Sequence, residues 1–123
     1  MTKSVLVVED DRDIRDALRE SLVMMGYRVD VASNGEEALR FLAEHEKPAV
    51  ILLDLMMPVM DGWQFRVQQQ LDPRICDIPV VLITADGNAK HKADNMGAHD
   101  RIKKPFEFEE LIKIAHEFCG PAQ

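Results

Sequence analysis

The chain has 123 residues, of which 46% are hydrophobic and 30% charged, and its formal net charge is −7. These values suit one soluble globular domain with one core. Because non-specific nucleic-acid binding relies on lysine and arginine to neutralise phosphates, the acidic balance argues against direct contact with DNA or RNA. No apolar stretch approaches the ~20 residues of a membrane-spanning helix. The N-terminus lacks a signal-peptide pattern and the two cysteines lie far apart, so we expect a cytoplasmic protein with reduced thiols.

The first part of the chain alternates between strand-like and helix-like segments. Residues 4–9 are apolar and β-branched, which predicts a buried strand. Residues 13–25 carry apolar side chains at helical spacing and precede a glycine, a residue suited to ending a helix. Residues 27–32 alternate between apolar and polar, which indicates a half-buried strand nearer a sheet edge. Ser33 and Glu36 have the spacing of a capping box, which predicts the start of a second helix.

The middle of the chain repeats this alternation. Residues 49–53 form a short, continuous apolar run, which is typical of a fully buried strand. The third helix is predicted to begin near Trp63 and to end before Pro73, since the residue before a proline disfavours helix. Residues 78–84 form the fourth buried strand.

The last part of the chain adds two helices and one strand. Ala89, Ala93 and Met96 line a short, weakly amphipathic helix, and residues 100–104 form a short strand that Pro105 stops. The apolar face of the final helix is predicted to consist of Phe108, Leu111, Ile112, Ala115 and Phe118. Five strand–helix units with continuous apolar strands imply an α/β fold with a parallel sheet and helices on both of its faces.

Polar side chains follow four of the predicted strands. Ligands of open parallel sheets bind at the carboxyl ends of the strands, so residues at those ends are the candidates for a site. They are Glu9, Asp10, Asp11, Asp54, Thr84 and Lys104. Asp54 ends an apolar run, and a buried ionised carboxylate is costly unless it is paired, hydrogen-bonded or bound to a metal. We therefore expect Asp54 to stand at the strand tip, not fully buried.

The chemistry of these side chains indicates a divalent cation and a phosphoryl group. Clustered carboxylates repel one another, and Mg²⁺ suits a few carboxylates that leave room for waters and phosphate oxygens. An Asp54 oxygen can then attack phosphorus and form an acyl phosphate. Lys104 and Thr84 would hold the remaining phosphoryl oxygens, one by charge and one by hydrogen bond.

Each of these residues also has an ordinary structural interpretation. Asp54 alone is compatible with a helix cap, Thr84 with a plain strand residue and Lys104 with a solvated surface charge. The acidic run after the first strand can simply favour the following helix dipole. Their joint placement at the ends of four strands favours a site. The four histidines are scattered, and no metal-ligand spacing links them.

Four motifs resemble, in order and spacing, the receiver domain of two-component response regulators: VLVVEDD, DLMMPVMDG, VVLITA and KKPF. The resemblance covers essentially the whole chain, 1–123, as one receiver domain. It implies a doubly wound five-stranded parallel sheet in the strand order 2-1-3-4-5, with five helices on two faces. It also implies that Asp54 is the phosphoacceptor, charged by a phosphohistidine on a sensor histidine kinase or a histidine phosphotransfer protein, and that phosphorylation changes the binding of an unknown downstream protein.

The resemblance also assigns the other site residues. Glu9 and Asp10 match the acidic pair that binds Mg²⁺ or Mn²⁺, with Asp10 as a direct ligand, and Asp54 and the backbone carbonyl of Met56 complete the set. Thr84 matches the switch hydroxyl. Lys104 matches the lysine of the family and would precede a cis proline. Asp11 falls outside the acidic pair, where we expect it to start a helix.

One position departs from the family pattern. Receivers commonly carry tyrosine or phenylalanine three residues before the lysine, and here that residue is Arg101. The aromatic side chain rotates inward as the threonine moves toward the phosphoryl group, whereas a guanidinium is costly to bury without a partner. We therefore expect Arg101 to face solvent and the phosphorylation chemistry to be unaffected.

Two other classes of function compete with a signalling module that catalyses only its own phosphorylation and dephosphorylation. A Mg²⁺-dependent phosphatase or phosphotransferase of the haloacid-dehalogenase type needs a second aspartate two residues after the nucleophile, where this chain has Met56. A nucleotide- or flavin-binding protein needs a glycine-rich phosphate loop after the first strand, where this chain has acids. Nothing after Gly120 forms an output domain, so the chain is either a stand-alone receiver or a domain of a longer regulator or hybrid kinase.

Overall fold

The computed structural model describes residues 3–85 and 87–121. The strands are β1 (Ser4–Val8), β2 (Arg28–Ala32), β3 (Val50–Asp54), β4 (Val80–Thr84) and β5 (Asp100–Lys103). The helices are α1 (Arg12–Met24), α2 (Gly35–Glu44), α3 (Gly62–Leu71), α4 (Ala89–Asn95) and α5 (Phe108–Cys119). Strands and helices alternate along the chain, as the hydrophobic pattern predicts.

The five strands form one sheet in the order β2-β1-β3-β4-β5, and all neighbouring pairs are parallel. The predicted doubly wound fold is therefore confirmed. The register pairs Val8 with Leu53 and Thr84 with Lys103, so the carboxyl ends of four strands lie side by side. A polar side chain at any of these ends faces the same edge of the sheet.

Two hydrophobic cores cover the two faces of the sheet. One contains buried residues of α2, α3 and α4, among them Leu42, Phe65 and Ala93. The other contains buried residues of α1 and α5, among them Leu18 and Leu111. Burial on both faces explains why β1, β3 and β4 are continuously apolar. Among residues 3–85 and 87–121, no helix has the length and apolar character needed to cross a membrane.

The start of α2 differs from the prediction. The N-cap is Asn34, whose Oδ1 accepts a hydrogen bond from the backbone N–H of Glu37 at 2.8 Å. Ser33 lies one residue outside the helix, and its hydroxyl donates to the Glu37 carboxylate at 2.8 Å. The predicted capping box between Ser33 and Glu36 is therefore wrong by one residue, because two adjacent residues can both cap and only Asn34 takes the cap position.

The buried face of α5 is also shifted from the predicted one. The buried residues are Leu111, Ile114, Ala115 and Cys119. Phe108, which the pattern assigns to the apolar face, is 43% exposed because it begins the helix. Cys119 and Cys76 are both free thiols, as expected.

A buried polar network joins α3 to the end of α4. Arg66 is 6% exposed, and its guanidinium donates to the carbonyls of Met96 at 2.9 Å and Gly97 at 2.8 Å and to Gln69 at 2.7 Å. Gln69, which is 0% exposed, donates to two carbonyls of the segment after α3. Burying these polar groups is tolerated because each finds hydrogen-bond partners. The network fixes α3, whose first turn adjoins the candidate site, against α4.

Candidate functional site

The predicted site residues meet at the carboxyl edge of the sheet. Glu9 and Asp10 follow β1, Asp54 ends β3, Thr84 ends β4 and Lys104 follows β5. Asp10, Asp54, Thr84 and Lys104 line one cleft. Residues separated by up to 95 positions in sequence are therefore brought together by the register of the strands.

Lys104 is the charge partner of the buried carboxylates. Its Nζ donates to Glu9 Oε1 at 2.5 Å and to Asp54 Oδ1 at 3.2 Å. The side chains of Lys104, Glu9 and Asp54 are only 15%, 1% and 7% exposed, so water does little to screen these contacts. Lys104 precedes a cis proline, as the resemblance implies, and its backbone N–H donates to the Thr84 carbonyl at 2.9 Å.

Asp54 is more deeply buried than the sequence predicts. It is the last residue of β3, as expected for a residue at the strand tip, but the whole residue is only 5% exposed. The lysine contact explains how the ionised form is tolerated there. Asp10 and Asp11, which also line the cleft, are exposed.

Three carboxylates cluster at the carboxyl ends of β1 and β3. Oxygens of Glu9, Asp10 and Asp54 all lie within 4.8 Å of one another. Burial raises the pKa of Glu9 to about 8, and the neighbouring Asp54 carboxylate acts in the same direction. Burial also raises the pKa of Asp10, again reinforced by Asp54. The pKa of Lys104 is raised too, because its contacts with Glu9 and Asp54 outweigh the opposing effect of burial.

This donor set fits a hard divalent cation. Glu9 Oε2 is buried and, within the described part of the chain, has no hydrogen-bond partner, so one acceptor of the cluster is uncompensated. Carboxylate oxygens at this spacing are the ligands that Mg²⁺ and Mn²⁺ prefer. A cation would offset the repulsion by Asp54 that adds to burial in raising the pKa values of Glu9 and Asp10.

The loop after β1 is fixed by a helix cap. Asp11 is the N-cap of α1, and its Oδ1 accepts from the backbone N–H groups of Asp13 at 2.9 Å and Ile14 at 3.1 Å. Arg15 donates to the Glu9 carbonyl at 3.1 Å. The predicted helix-start role of Asp11 is therefore confirmed, and the cap holds the acidic pair at the end of the strand.

The loop between β3 and α3 is shaped by tight backbone contacts. Val59 has a φ of 69°, an uncommon value for a β-branched residue, and the N–H of Met60 donates to the Pro58 carbonyl across it at 2.7 Å. The Gly62 N–H donates to the Leu55 carbonyl at 2.8 Å. Met56 has a side chain that points to solvent, since the residue is 73% exposed, and the role of its carbonyl stays a prediction.

Gly62 is needed where α3 meets the phosphoacceptor strand. A Cβ at this position would lie 2.6 Å from the Asp54 carbonyl oxygen and 2.9 Å from Leu55 Cα. We expect Gly62→Ala to cost about 1–3 kcal/mol of unfolding free energy, because backbone must move to accommodate the methyl group. Urea denaturation measures this loss. Gly87→Ala is the matched control, since a Cβ there meets nothing within 4 Å; equal losses for both variants would contradict the packing argument.

Two basic residues, Lys92 and Arg101, differ in their position relative to the cleft. Lys92 of α4 also lines the cleft, which the sequence pattern does not reveal because the helix is polar and weakly amphipathic. Arg101 is exposed, and its backbone N–H donates to Asp100 Oδ1 at 2.8 Å. Arg101 thus faces solvent, as expected.

The strand order and the acidic cluster at the switch between β1 and β3 define the class: a flavodoxin-like, doubly wound α/β protein of the receiver type. Residues 5–116 match the family model of the response regulator receiver domain, and the chain belongs to this family. The resemblance seen in the four sequence motifs is therefore confirmed. The match gives no support to the haloacid-dehalogenase alternative.

Relatives and solved structures agree with this assignment. The chain is 40% identical over 114 residues to response regulator MprA of Mycolicibacterium vanbaalenii, an alignment that covers 91% of this chain and 48% of that protein. The chain thus spans about half the length of the curated relatives it matches.

Two solved structures illustrate the likeness. The Vibrio cholerae chemotaxis protein CheY4 superposes with a TM-score of 0.85 at 30% identity, over 96% of this chain and 99% of that one. The receiver domain of the sensor histidine kinase PA1611 from Pseudomonas aeruginosa gives a TM-score of 0.86 at 28% identity, over 98% of this chain and 99% of that one. That structure has a magnesium ion coordinated in its active site cleft. The chain is a receiver domain of the two-component signalling type.

Proposed function

We propose that Asp54 accepts a phosphoryl group from a phosphohistidine on a sensor histidine kinase or a histidine phosphotransfer protein. The observation that carries this proposal is the contact between Lys104 Nζ and Asp54 Oδ1, which lie 3.2 Å apart. Both residues line a cleft that Asp10 also lines. An acceptor carboxylate needs a free oxygen that faces the donor and a fixed cation beside it. In Asp54, Oδ1 contacts Lys104 Nζ, and Oδ2 would be the oxygen that attacks phosphorus.

The transfer is a displacement at phosphorus. An Asp54 oxygen forms a bond to phosphorus while the phosphorus–nitrogen bond of the phosphohistidine breaks, and the released electron pair returns to the imidazole, which takes up a proton. The product is an acyl phosphate on Asp54. Lys104 and Thr84 then hold phosphoryl oxygens by charge and by hydrogen bond.

A divalent cation fits beside these residues. Glu9, Asp10, Asp54 and the Met56 carbonyl would hold Mg²⁺ or Mn²⁺, with Asp10 as a direct ligand. When bound, the cation supplies positive charge that lets a phosphoryl anion approach three carboxylates. Glu9 Oε2, which is buried and has no hydrogen-bond partner among the described residues, supports this assignment.

The outcome is a change in binding rather than turnover of a substrate. Residues 1–123 would act as one receiver domain, located in the cytoplasm, which catalyses only its own phosphorylation and dephosphorylation and switches its affinity for a downstream protein. With a net charge of −7, this chain itself is not expected to contact nucleic acid.

Phosphorylation by acetyl phosphate tests the proposal, because a small donor needs no kinase if the receiver supplies the catalysis. Wild-type protein with Mg²⁺ is expected to gain one phosphoryl group, about 80 Da by mass spectrometry. Asp54→Asn is expected to gain none, and Asp10→Ala to gain it only at much higher Mg²⁺ concentration. Asp61→Asn, in the adjacent loop, is the control and should label like wild type. Equal labelling of Asp54→Asn would remove Asp54 from its assigned role.

Arg101 is expected to stay in solvent when the site is phosphorylated. A guanidinium is costly to bury without hydrogen-bond acceptors, and Asp100, adjacent in β5, points to the opposite face and cannot supply them. We therefore expect Arg101→Tyr to leave acetyl-phosphate labelling of Asp54 unchanged within about twofold. Structures with and without beryllofluoride provide the second measurement. An Arg101 side chain that moves beside Thr84 on activation would contradict this expectation.

A further inference from the structure

A groove lined mainly by basic side chains lies where β5 meets α4 and α5. Its volume is about 500 Å³, and its walls come from the start of α4, from β5 and from α5. Six of its residues are charged: Lys90, Asp100, Arg101, Lys103, Glu110 and Lys113. Four bases and two acids give this basic groove a net charge of +2, whereas the net charge of the chain is −7.

The four bases of the groove are exposed and have no ion-pair partner. They are Lys90 in the first turn of α4, Arg101 and Lys103 on β5, and Lys113 on α5. Within residues 3–85 and 87–121, none of these four side chains makes an ion pair. Four arginines elsewhere on the surface do form ion pairs with carboxylates: Arg12, Arg28, Arg40 and Arg74. The bases of the groove are therefore available to charges on another molecule.

The strand fixes the spacing of two of these bases. Arg101 and Lys103 are two residues apart in β5, so they share one face and lie about 6.6 Å apart along the strand. Ile102, between them, points inward and is 0% exposed. Acids two residues apart on an extended segment have the same spacing. Such a segment can therefore place one carboxylate against each base.

The floor of the basic groove is apolar. Ala89 and Ile114 line it, and they are only 7% and 4% exposed. A further charge above these two side chains would lose water without gaining a partner, whereas an apolar side chain would bury area. The groove thus favours a ligand with acids at its edges and an apolar group between them.

We propose that the basic groove binds an acidic segment of a partner protein, and that this binding does not require phosphorylation of Asp54. Carboxylates of the segment would contact Arg101, Lys103 and the two flanking lysines, and one apolar side chain would cover the floor. A guanidinium can hold a carboxylate through two parallel N–H donors, which makes Arg101 the strongest single contact.

The two acids of the groove favour a protein segment over a nucleic acid. Asp100 and Glu110 stand among the bases, so a strand with a phosphate on every nucleotide would meet both of them. A peptide can place uncharged residues opposite these acids. A second copy of the chain is disfavoured as the occupant, because two chains of net charge −7 repel.

The charges of the groove are in place before any phosphoryl group arrives. All four bases are exposed in the unphosphorylated protein, and Arg101 is expected to stay in solvent after phosphorylation. Binding in the groove can therefore fail while Asp54 still accepts a phosphoryl group, and the reverse also holds. The unphosphorylated protein is the right material for the test.

Fluorescence anisotropy with the labelled peptide Glu-Glu-Glu-Leu-Glu-Glu-Glu measures this binding. Titration with unphosphorylated protein up to about 1 mM should saturate, and raising the salt from about 20 to about 200 mM should weaken binding at least about fivefold. The same peptide with glutamine in place of glutamate should bind at least about tenfold more weakly. No saturation by 1 mM, or equal binding of both peptides, would overturn the proposal.

Charge-reversal variants locate the binding. Arg101→Glu and Lys113→Glu should each weaken binding of the acidic peptide at least about fivefold, because attraction becomes repulsion. Both residues are exposed, so both variants should fold, and circular dichroism checks this. Arg19→Glu, an exposed base of α1 outside the groove, makes the same change in net charge and should bind like wild type. Equal losses in all three variants would overturn the assignment to the groove.

The other two occupants are tested in the same series. A single-stranded DNA oligonucleotide of the same charge should bind more weakly than the acidic peptide, and sedimentation velocity should show a monomer at about 100 µM. Tighter binding of the oligonucleotide would assign the groove to nucleic acid and overturn the proposal. A dimer that Arg101→Glu abolishes would assign it to a second copy, with the same consequence.

Discussion

The metal-free protein is expected to lose stability as the pH rises from about 4.5 to about 8. Glu9 has an ordinary pKa of 4.5 when unfolded and a pKa of about 8 in the fold, mainly because of burial and the neighbouring Asp54. Between these values the native state holds a proton that the unfolded state has released, so the unfolding free energy falls by about 1.4 kcal/mol per pH unit. The stabilisation is complete below pH 4.5 and is lost as the pH passes through 8.

The total effect is on the order of 5 kcal/mol, a large part of the stability of a domain of this size. Urea denaturation in a chelating buffer at pH 5, 6, 7 and 8 measures it. Glu9→Gln should remove most of this slope and be more stable than wild type at pH 8. Mg²⁺ should restore stability to wild type at pH 8, since it binds the ionised carboxylates, and should do less for Glu9→Gln. The same slope in wild type and Glu9→Gln would contradict the assignment.

Removing the lysine should damage both stability and signalling. In Lys104→Met, Glu9 and Asp54 lose the cation that contacts them at 2.5 and 3.2 Å. Breaking a buried pair in this way typically costs about 3–5 kcal/mol, and the loss should be larger at pH 8 than at pH 5, where Glu9 is protonated. Phosphorylation of Asp54 should be slower, and the phosphoryl group should fail to draw β5 and its loop toward it.

Amide NMR with beryllofluoride measures the second effect. In wild type, shifts should spread from Asp54 to β4 and β5, whereas in Lys104→Met they should stay near the β3–α3 loop. Lys103→Met is the matched control, because that neighbouring lysine is exposed. Shifts that spread equally widely in Lys104→Met and wild type would show that Lys104 does not transmit the signal.

The position of the candidate site could be predicted because it follows from one topological rule. Asp54 and Lys104 are 50 residues apart, yet both sit at strand ends, and strand ends of a parallel sheet share one edge. The strand ends predicted from the hydrophobic pattern are therefore enough to predict that the acids and the lysine lie close together. Their roles come from the family resemblance, which the match over residues 5–116 supports.

Other features depend on contacts that no local pattern records. Arg66 reaches carbonyls about 30 residues away, and a helical wheel gives no sign that its side chain is buried. Lys92 lines the cleft only because α4 packs beside the end of β4. The burial of Asp54 likewise depends on the side chains of three other elements, so the sequence predicted its place on the strand better than its exposure.

Local signals failed where two neighbouring residues suit the same position. Ser33 and Asn34 are both residue types that favour the N-cap position. The helix begins at Gly35, so Asn34 is the N-cap and Ser33 lies one residue outside it. On α5, Phe108 fits the apolar spacing but lies in the first turn, beyond the sheet that buries Leu111. Such errors move a boundary by a residue or a turn and leave the fold unchanged.

The most direct test of Asp54 as the phosphoacceptor is to locate the phosphoryl group chemically. Borohydride reduces an acyl phosphate to the alcohol, which turns a phosphorylated aspartate into homoserine that tandem mass spectrometry can map. After treatment with acetyl phosphate and Mg²⁺, we expect homoserine at position 54 and at no other aspartate. Homoserine at position 10 or 61 instead, or a borohydride-resistant phosphate ester on Thr84, would contradict it.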